Sequence, residues 1–174
     1  LKTKNMILFK SMVRNLLISD ATGNFIRFLT PKIKVNKLKF TVTSKHIRGK
    51  IVSLLFFNKY EKEEVQMIHH HMRRDLPVID LGSSLGVVAT NAACISNQTI
   101  LCVEANPSLI DIIAMNFLNN GVTEDRYTIL NAAICDLEKA GEPIFFSSHG
   151  SNELGRICDE QTKGAIRVET ALLS

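Results

Sequence analysis

Several things are missing from this 174-residue chain, and each absence narrows what it can be. No stretch approaches the roughly 18 uninterrupted apolar residues that a membrane-crossing helix needs, so no helical integral membrane segment is expected. Cysteine is sparse: Cys94, Cys102, Cys135 and Cys158, with no CxxC pair. The first three sit among apolar neighbours, so buried free thiols and a reducing, cytoplasmic setting are expected. No internal repeat, low-complexity tract or long apolar leader core is present. Hydrophobic residues at 45% and charged residues at 22% exclude wholesale disorder. Acids are nearly missing from the front. Residues 1–60 carry 13 Lys and Arg against Asp20 alone, a net +12, whereas residues 61–174 carry a net −8. The front meets an anionic surface, or it packs on the acidic remainder.

What is present has two textures. Residues 5–18 carry a helical apolar stripe, and Asp20, Gly23 and Asn24 read as a turn. Residues 25–29 and 38–43 read as strands, and residues 51–57 are a short apolar run. Residues 61–76 form an amphipathic helix, with acids in the first turn, Arg73 and Arg74 in the last, and Pro77 as its stop. Alternation follows: a buried strand at 77–81, a helix at 84–96, a strand at 99–103, a helix at 107–119 and a strand at 127–130. Such order implies parallel strands with right-handed crossovers. Residues 144–147 and 166–171 read as strands of a hairpin or insertion.

The densest information lies at Asp80-Leu81-Gly82-Ser83-Ser84-Leu85-Gly86. A strand ends in an acid, and Gly-x-x-x-Gly opens a helix. Glycine lets the backbone turn sharply, and a helix N-terminus offers N–H groups to an anion. A plain strand–helix turn is the alternative. The next strand ends in Val103-Glu104-Ala105-Asn106. Parallel strands bring Glu104 beside the glycine loop, where a carboxylate accepts ribose hydroxyls; a solvated strand-end acid is the alternative. The loop has no G-x-G, so the pyrophosphate of NAD fits poorly. An adenosine with an amino-acid tail, S-adenosylmethionine, fits better.

These residues resemble a known family. Asp80 to Gly86 is similar to the D-x-G-x-x-x-G motif of class I S-adenosylmethionine-dependent methyltransferases. Across residues 57–174 the chain more narrowly resembles the FkbM-like methyltransferases. The signals are Tyr60-Glu61, Glu104-Ala105-Asn106-Pro107, Asn119-Asn120-Gly121, Asn131 to Asp136, and Val168 to Leu172. The resemblance implies that Asp80, Gly82, Ser83, Ser84 and Gly86 hold the methionine part of the cofactor. It gives Glu104 the ribose, and puts Ala105, Asn106, Asn131 and Ala132 around the adenine. Tyr60 and Glu61 are further cofactor contacts, with helix capping as the alternative for Glu61. Ser83 and Ser84 depart from the family's alanine and asparagine. The family continues into a fourth strand with a D-x-E-G motif, so the chain is expected to be cut.

The expected fold is therefore α/β: an incomplete Rossmann-like parallel sheet with flanking helices over 57–174, preceded by a small basic α+β extension over 1–56. The expected activity is methyl transfer from S-adenosylmethionine, leaving S-adenosylhomocysteine, to a hydroxyl of a small-molecule or glycan acceptor. An RNA-directed methyltransferase and a non-catalytic adenosine-binding module are the alternatives. No nucleic-acid motif accompanies the basic front, so nucleic acid is not the expected partner. An exposed sheet edge would favour a homo-oligomer. His149 is the candidate base for a substrate hydroxyl. Three adjacent histidines, His69-His70-His71, point about 100° apart on a helix and cannot converge on one metal.

Overall fold

In the computed structural model the described residues are 12, 13, 15–136, 141–147 and 156–172. The chain divides into two compact units, Leu1–Lys62 and Glu63–Ser174.

The first unit holds helix α1 (Asp20–Leu29), strands β1 (Lys32–Val35) and β2 (Leu38–Thr41), and helix α2 (Gly49–Phe56). Residues 25–29, read from sequence as a strand, are the second half of α1, and the supposed turn residues Asp20, Gly23 and Asn24 lie inside it. Capping decides this. The Ser19 hydroxyl accepts the Thr22 N–H at 3.2 Å and starts the helix before the β-prone residues are reached. Gly23 then fits where α1 crosses α2. A Cβ there would stand 1.6 Å from the Gly49 carbonyl oxygen. β1 and β2 form an antiparallel hairpin in which Ile33 faces Phe40 and Lys34 faces Lys39. Asn36 and Lys37 turn it with φ of 47° and 77°, both left-handed, the geometry that matches strand twist. Asp20 takes the Lys50 N–H at 2.9 Å. After α2 the chain folds back on that helix, and the N–H groups of Lys59 and Tyr60 donate to Leu54. The unit therefore closes at Lys62, past residue 56.

The second unit is a mixed α/β structure built on a three-stranded parallel sheet, β3 (Val78–Leu81), β4 (Ile100–Val103) and β5 (Tyr127–Leu130), in that order. Helices α4 (Val87–Ile95) and α5 (Pro107–Asn119) are the crossovers, and α3 (Lys62–His71) precedes β3. α3 is shorter than its apolar spacing predicts. Glu61 has φ of 48° and stands outside it. Arg73 lies past its end and pairs with Asp75 at 2.6 Å. α4 starts later than residue 84, because residues 82–86 form the turn before it.

Two right-handed crossovers made in the same direction put both helices on one face of a sheet. The core shows this. Ala89, Ala92 and Ala93 of α4 and Ile113 and Phe117 of α5 pack on Ile100 and Cys102, with Ile68 and Met72 alongside. Phe117 stacks on Tyr127 with ring centroids 4.4 Å apart. The Arg126 guanidinium donates to the carbonyls of Ala93, Ser96 and Gln98 and closes the C-terminal end of α4. The opposite face is only partly covered: Val103, at its centre, is 3% exposed, but its neighbours are not shielded. Ile79, Leu81 and Leu130 are 54%, 48% and 40% exposed, so the strand at 78–81 is half-buried, not buried as its composition suggests.

Beyond β5 the chain forms β6 (Ala133–Ile134), which pairs in parallel with β10 (Thr170–Ala171). Strand β7 (Ile144–Ser147) pairs antiparallel with both β8 (Arg156–Cys158) and β9 (Ile166–Val168). The apolar run 166–171 is two strands because Glu169 separates them, its carbonyl accepting the Ala133 N–H. All four cysteines are free thiols. Cys102 is buried, and burial pushes its pKa up to about 12. Cys94 is exposed, contrary to its apolar neighbourhood in sequence. It lies on the side of α4 away from Ala89, Ala92 and Ala93. Among the described residues no helix is long and apolar enough to cross a membrane.

Candidate ligand-binding site at the glycine loop

The C-terminal ends of β3, β4 and β5 lie side by side because their registers match: Leu81 faces Val103, and Val103 faces Leu130. The loop after β3 folds over β4. Gly82 N–H and Ser83 N–H both donate to the Val103 carbonyl, at 2.8 and 3.1 Å. Gly82 and Gly86 have φ of 76° and 69°, and Ser84 has 48°. Gly86 also passes so near α5 that a Cβ would stand 3.0 Å from Ile113. At Gly82 the same Cβ would meet nothing within 4 Å. One glycine serves packing; the other faces open space.

Glu104 is the brace of this site. It is 8% exposed. One carboxylate oxygen accepts the Ser84 N–H at 2.8 Å and the other accepts the Asn106 N–H at 2.8 Å. Each oxygen keeps a further lone pair for a ligand hydroxyl. Asn106 in turn caps α5, accepting the Ser108 N–H. Asn131, on the segment after β5, donates to the carbonyls of Glu104 and Ala105 at 2.8 and 3.1 Å. Ala132 is buried next to it. The structure thus brings Ser84, Glu104, Ala105, Asn106 and Asn131 into one hydrogen-bonded cluster.

Four of the loop amides are committed to the protein itself. Besides the bonds of Gly82, Ser83 and Ser84, the Gly86 N–H donates to the Ser83 carbonyl at 2.6 Å. What the loop presents is Asp80. Its Oδ2 is buried and has no hydrogen-bond partner among the described residues. Burial raises the Asp80 pKa. The Ala89 N–H and the Ser83 hydroxyl pull it back, and the Glu104 charge pushes it up further. Two carboxylates, one of them with an orphaned oxygen, favour a ligand that carries a positive charge and N–H donors.

Two side chains hold the loop that the sequence did not single out. Asn116, fully buried on α5, donates to the Leu85 carbonyl at 2.8 Å. Ile113 sets the approach at Gly86. The available signal was an asparagine, Asn116, among the apolar residues of 107–119. Tyr60 and Glu61 belong to the first unit. His149 lies outside the described residues. The histidine run does not converge: His69 Nε2 lies 3.4 Å from Asn91 Oδ1, while His70 Nδ1 meets the Gln66 carbonyl at 2.6 Å.

No protein-family model matches the chain, and no curated protein matches it.

Proposed function

We propose that the chain is a class I, FkbM-like methyltransferase with a Rossmann-like cofactor unit, which transfers a methyl group from S-adenosylmethionine to a hydroxyl of a sugar or natural product. The observation that carries the cofactor reading is the unpartnered Asp80 Oδ2 beside an open Gly82. The residues fit the group: a buried acceptor for an ammonium, a glycine with free space in front of it, and a carboxylate at the next strand end. The acceptor class rests on the motif resemblance.

When bound, S-adenosylmethionine supplies a methyl on a sulfonium, open to in-line attack by oxygen. The protein's own share is holding and orienting. Asp80 would take the ammonium of the methionine part, which satisfies its lone oxygen. Glu104 would accept the ribose hydroxyls through its remaining lone pairs, held in place by the Ser84 and Asn106 amides. Ala105, Asn131 and Ala132 would border the adenine. Such positioning lowers the barrier by removing translational and rotational freedom before reaction.

The test is a thermal-shift titration of the whole chain with S-adenosylhomocysteine. At a hundred times its Kd the ligand should add about 2.7 kcal/mol, a melting rise of roughly 5–10 °C. An Asp80→Asn protein should fold and lose most of that rise. No shift with the parent chain would refute the cofactor assignment.

A further inference from the structure

The first unit carries a feature that the methyl-transfer reading does not use. Helix α1 is amphipathic in the inverted sense. Its face toward α2 holds Gly23 and Ile26, both buried. Its outward face holds Ala21, Phe25, Phe28 and Leu29, at the spacing of one helical stripe. Phe25, Phe28 and Leu29 are 63%, 86% and 64% exposed. Exposed phenylalanines in a stripe are costly in water and rare without a partner.

Charge identifies the partner. Thr30 and Pro31 alone separate this helix from the hairpin β1–β2. Lys32, Lys34, Lys37 and Lys39 are all exposed on that hairpin. Lys34 stands directly opposite Lys39, and like charges in register oppose strand pairing. From Ala21 to Tyr60 the chain has nine Lys and Arg and no acid. The nearest acid, Asp20, is engaged by the Lys50 N–H and by Arg48. A second copy of this unit would bring one cationic surface against another. RNA phosphates would suit the lysines and leave Leu29 and Ala21 without a role. A surface that is anionic outside and apolar just beneath takes both sets of residues.

We propose that the outward face of α1 and the adjoining lysine hairpin dock the protein on an anionic lipid bilayer. The phenylalanines enter the head-group boundary, and the lysines meet the lipid phosphates and carboxylates.

The chain contains no tryptophan, so Phe28→Trp places a single indole reporter in the stripe. In the full-length chain this variant should emit as a water-exposed indole. Its emission should shift to the blue on adding phosphatidylserine–phosphatidylcholine vesicles, and not with phosphatidylcholine alone. Co-sedimentation with the mixed vesicles should fall at least about tenfold in Lys34→Glu/Lys39→Glu and in Phe25→Ser/Phe28→Ser, and should weaken with salt. Both pairs of changes are on exposed residues, and circular dichroism should show the fold retained. Equal binding to neutral vesicles, or no binding to either, overturns the proposal. So does emission that is already blue without lipid, which would show the stripe covered by the protein itself. Binding of a single-stranded oligouridine without vesicle partition overturns it in favour of RNA. None of these readouts depends on the cofactor, so failure here leaves the methyltransferase reading standing.

Discussion

Glycine does opposite work in the two units. In the basic unit Gly23 and Gly49 let two helices touch backbone to backbone, and any side chain would strike a carbonyl. In the acidic unit Gly82 turns the chain with φ of 76° and leaves free space where a side chain would be. Both residues sit in similar sequence, a small residue near apolar and polar neighbours. Only their surroundings separate a packing glycine from one that faces a ligand. The lesson extends to charge. The hairpin of the basic unit presents Lys32, Lys34, Lys37 and Lys39 outward, whereas the acids of the other unit that matter most, Asp80 and Glu104, are turned into its loop cluster.

Substitutions make this contrast measurable. Gly23→Ala should be the most damaging. The helices must part to admit the methyl, which should cost about 3 kcal/mol or more. Native-state hydrogen exchange should show protection lost across α1 and α2 and kept in β3–β5. Glu104→Ala comes next. It leaves the Ser84 and Asn106 amides without acceptors in a buried site, so a loss of about 2–3 kcal/mol is expected in urea denaturation. Unchanged stability would show that water replaces the carboxylate at no cost. Gly82→Ala should cost about 1–2 kcal/mol, from the left-handed backbone alone, since no atom obstructs the methyl. A loss as large as that at Gly23 would mean that the open space is filled.

The smallest effect has the opposite sign. Burial raises the Asp80 pKa, so the native state holds this proton more readily than the unfolded chain. Stability therefore falls as pH rises from the unfolded value through the native one. Asp80→Asn should remove that slope and raise the melting temperature modestly at neutral pH, while the ligand-induced rise is lost. Melting curves of both proteins at acid and neutral pH check the sign. A mutant that is less stable than the parent at neutral pH would mean that the Ala89 and Ser83 bonds outweigh the desolvation.

Local pattern made part of the fold legible. The strands at 78–81, 100–103 and 127–130 and the helix at 107–119 follow from apolar runs, Pro107 in the first turn and Gly121 beyond the end, while the capping role of Asn106 emerged only from the structure. The ends of parallel strands then had to adjoin, so Glu104 beside the glycine loop was readable too, whereas Asn131 came only from the motif resemblance. Residues 25–29 were misread because a strand and a helix with an outward apolar stripe look alike over five residues. The capping bond at Ser19 separates them, and it needs geometry. Asn116 was missed because a single buried asparagine has no periodic signature.

What the sequence determined by itself is the strand–helix alternation from residue 78 to residue 130, and the meeting of Glu104 with the glycine loop at the strand ends. Periodicity and turn chemistry act over a few residues, and parallel pairing follows from them. Tertiary structure decided the rest. It engaged the amides of Gly82, Ser83, Ser84 and Gly86 within the protein and left Asp80 Oδ2 unsatisfied. It joined β6 to β10 across more than thirty residues of chain. It also left Ile79, Leu81 and Leu130 on one side of the sheet, and the α1 stripe, exposed. Those outcomes depend on which distant backbone happens to lie within reach, and no local pattern carries that information.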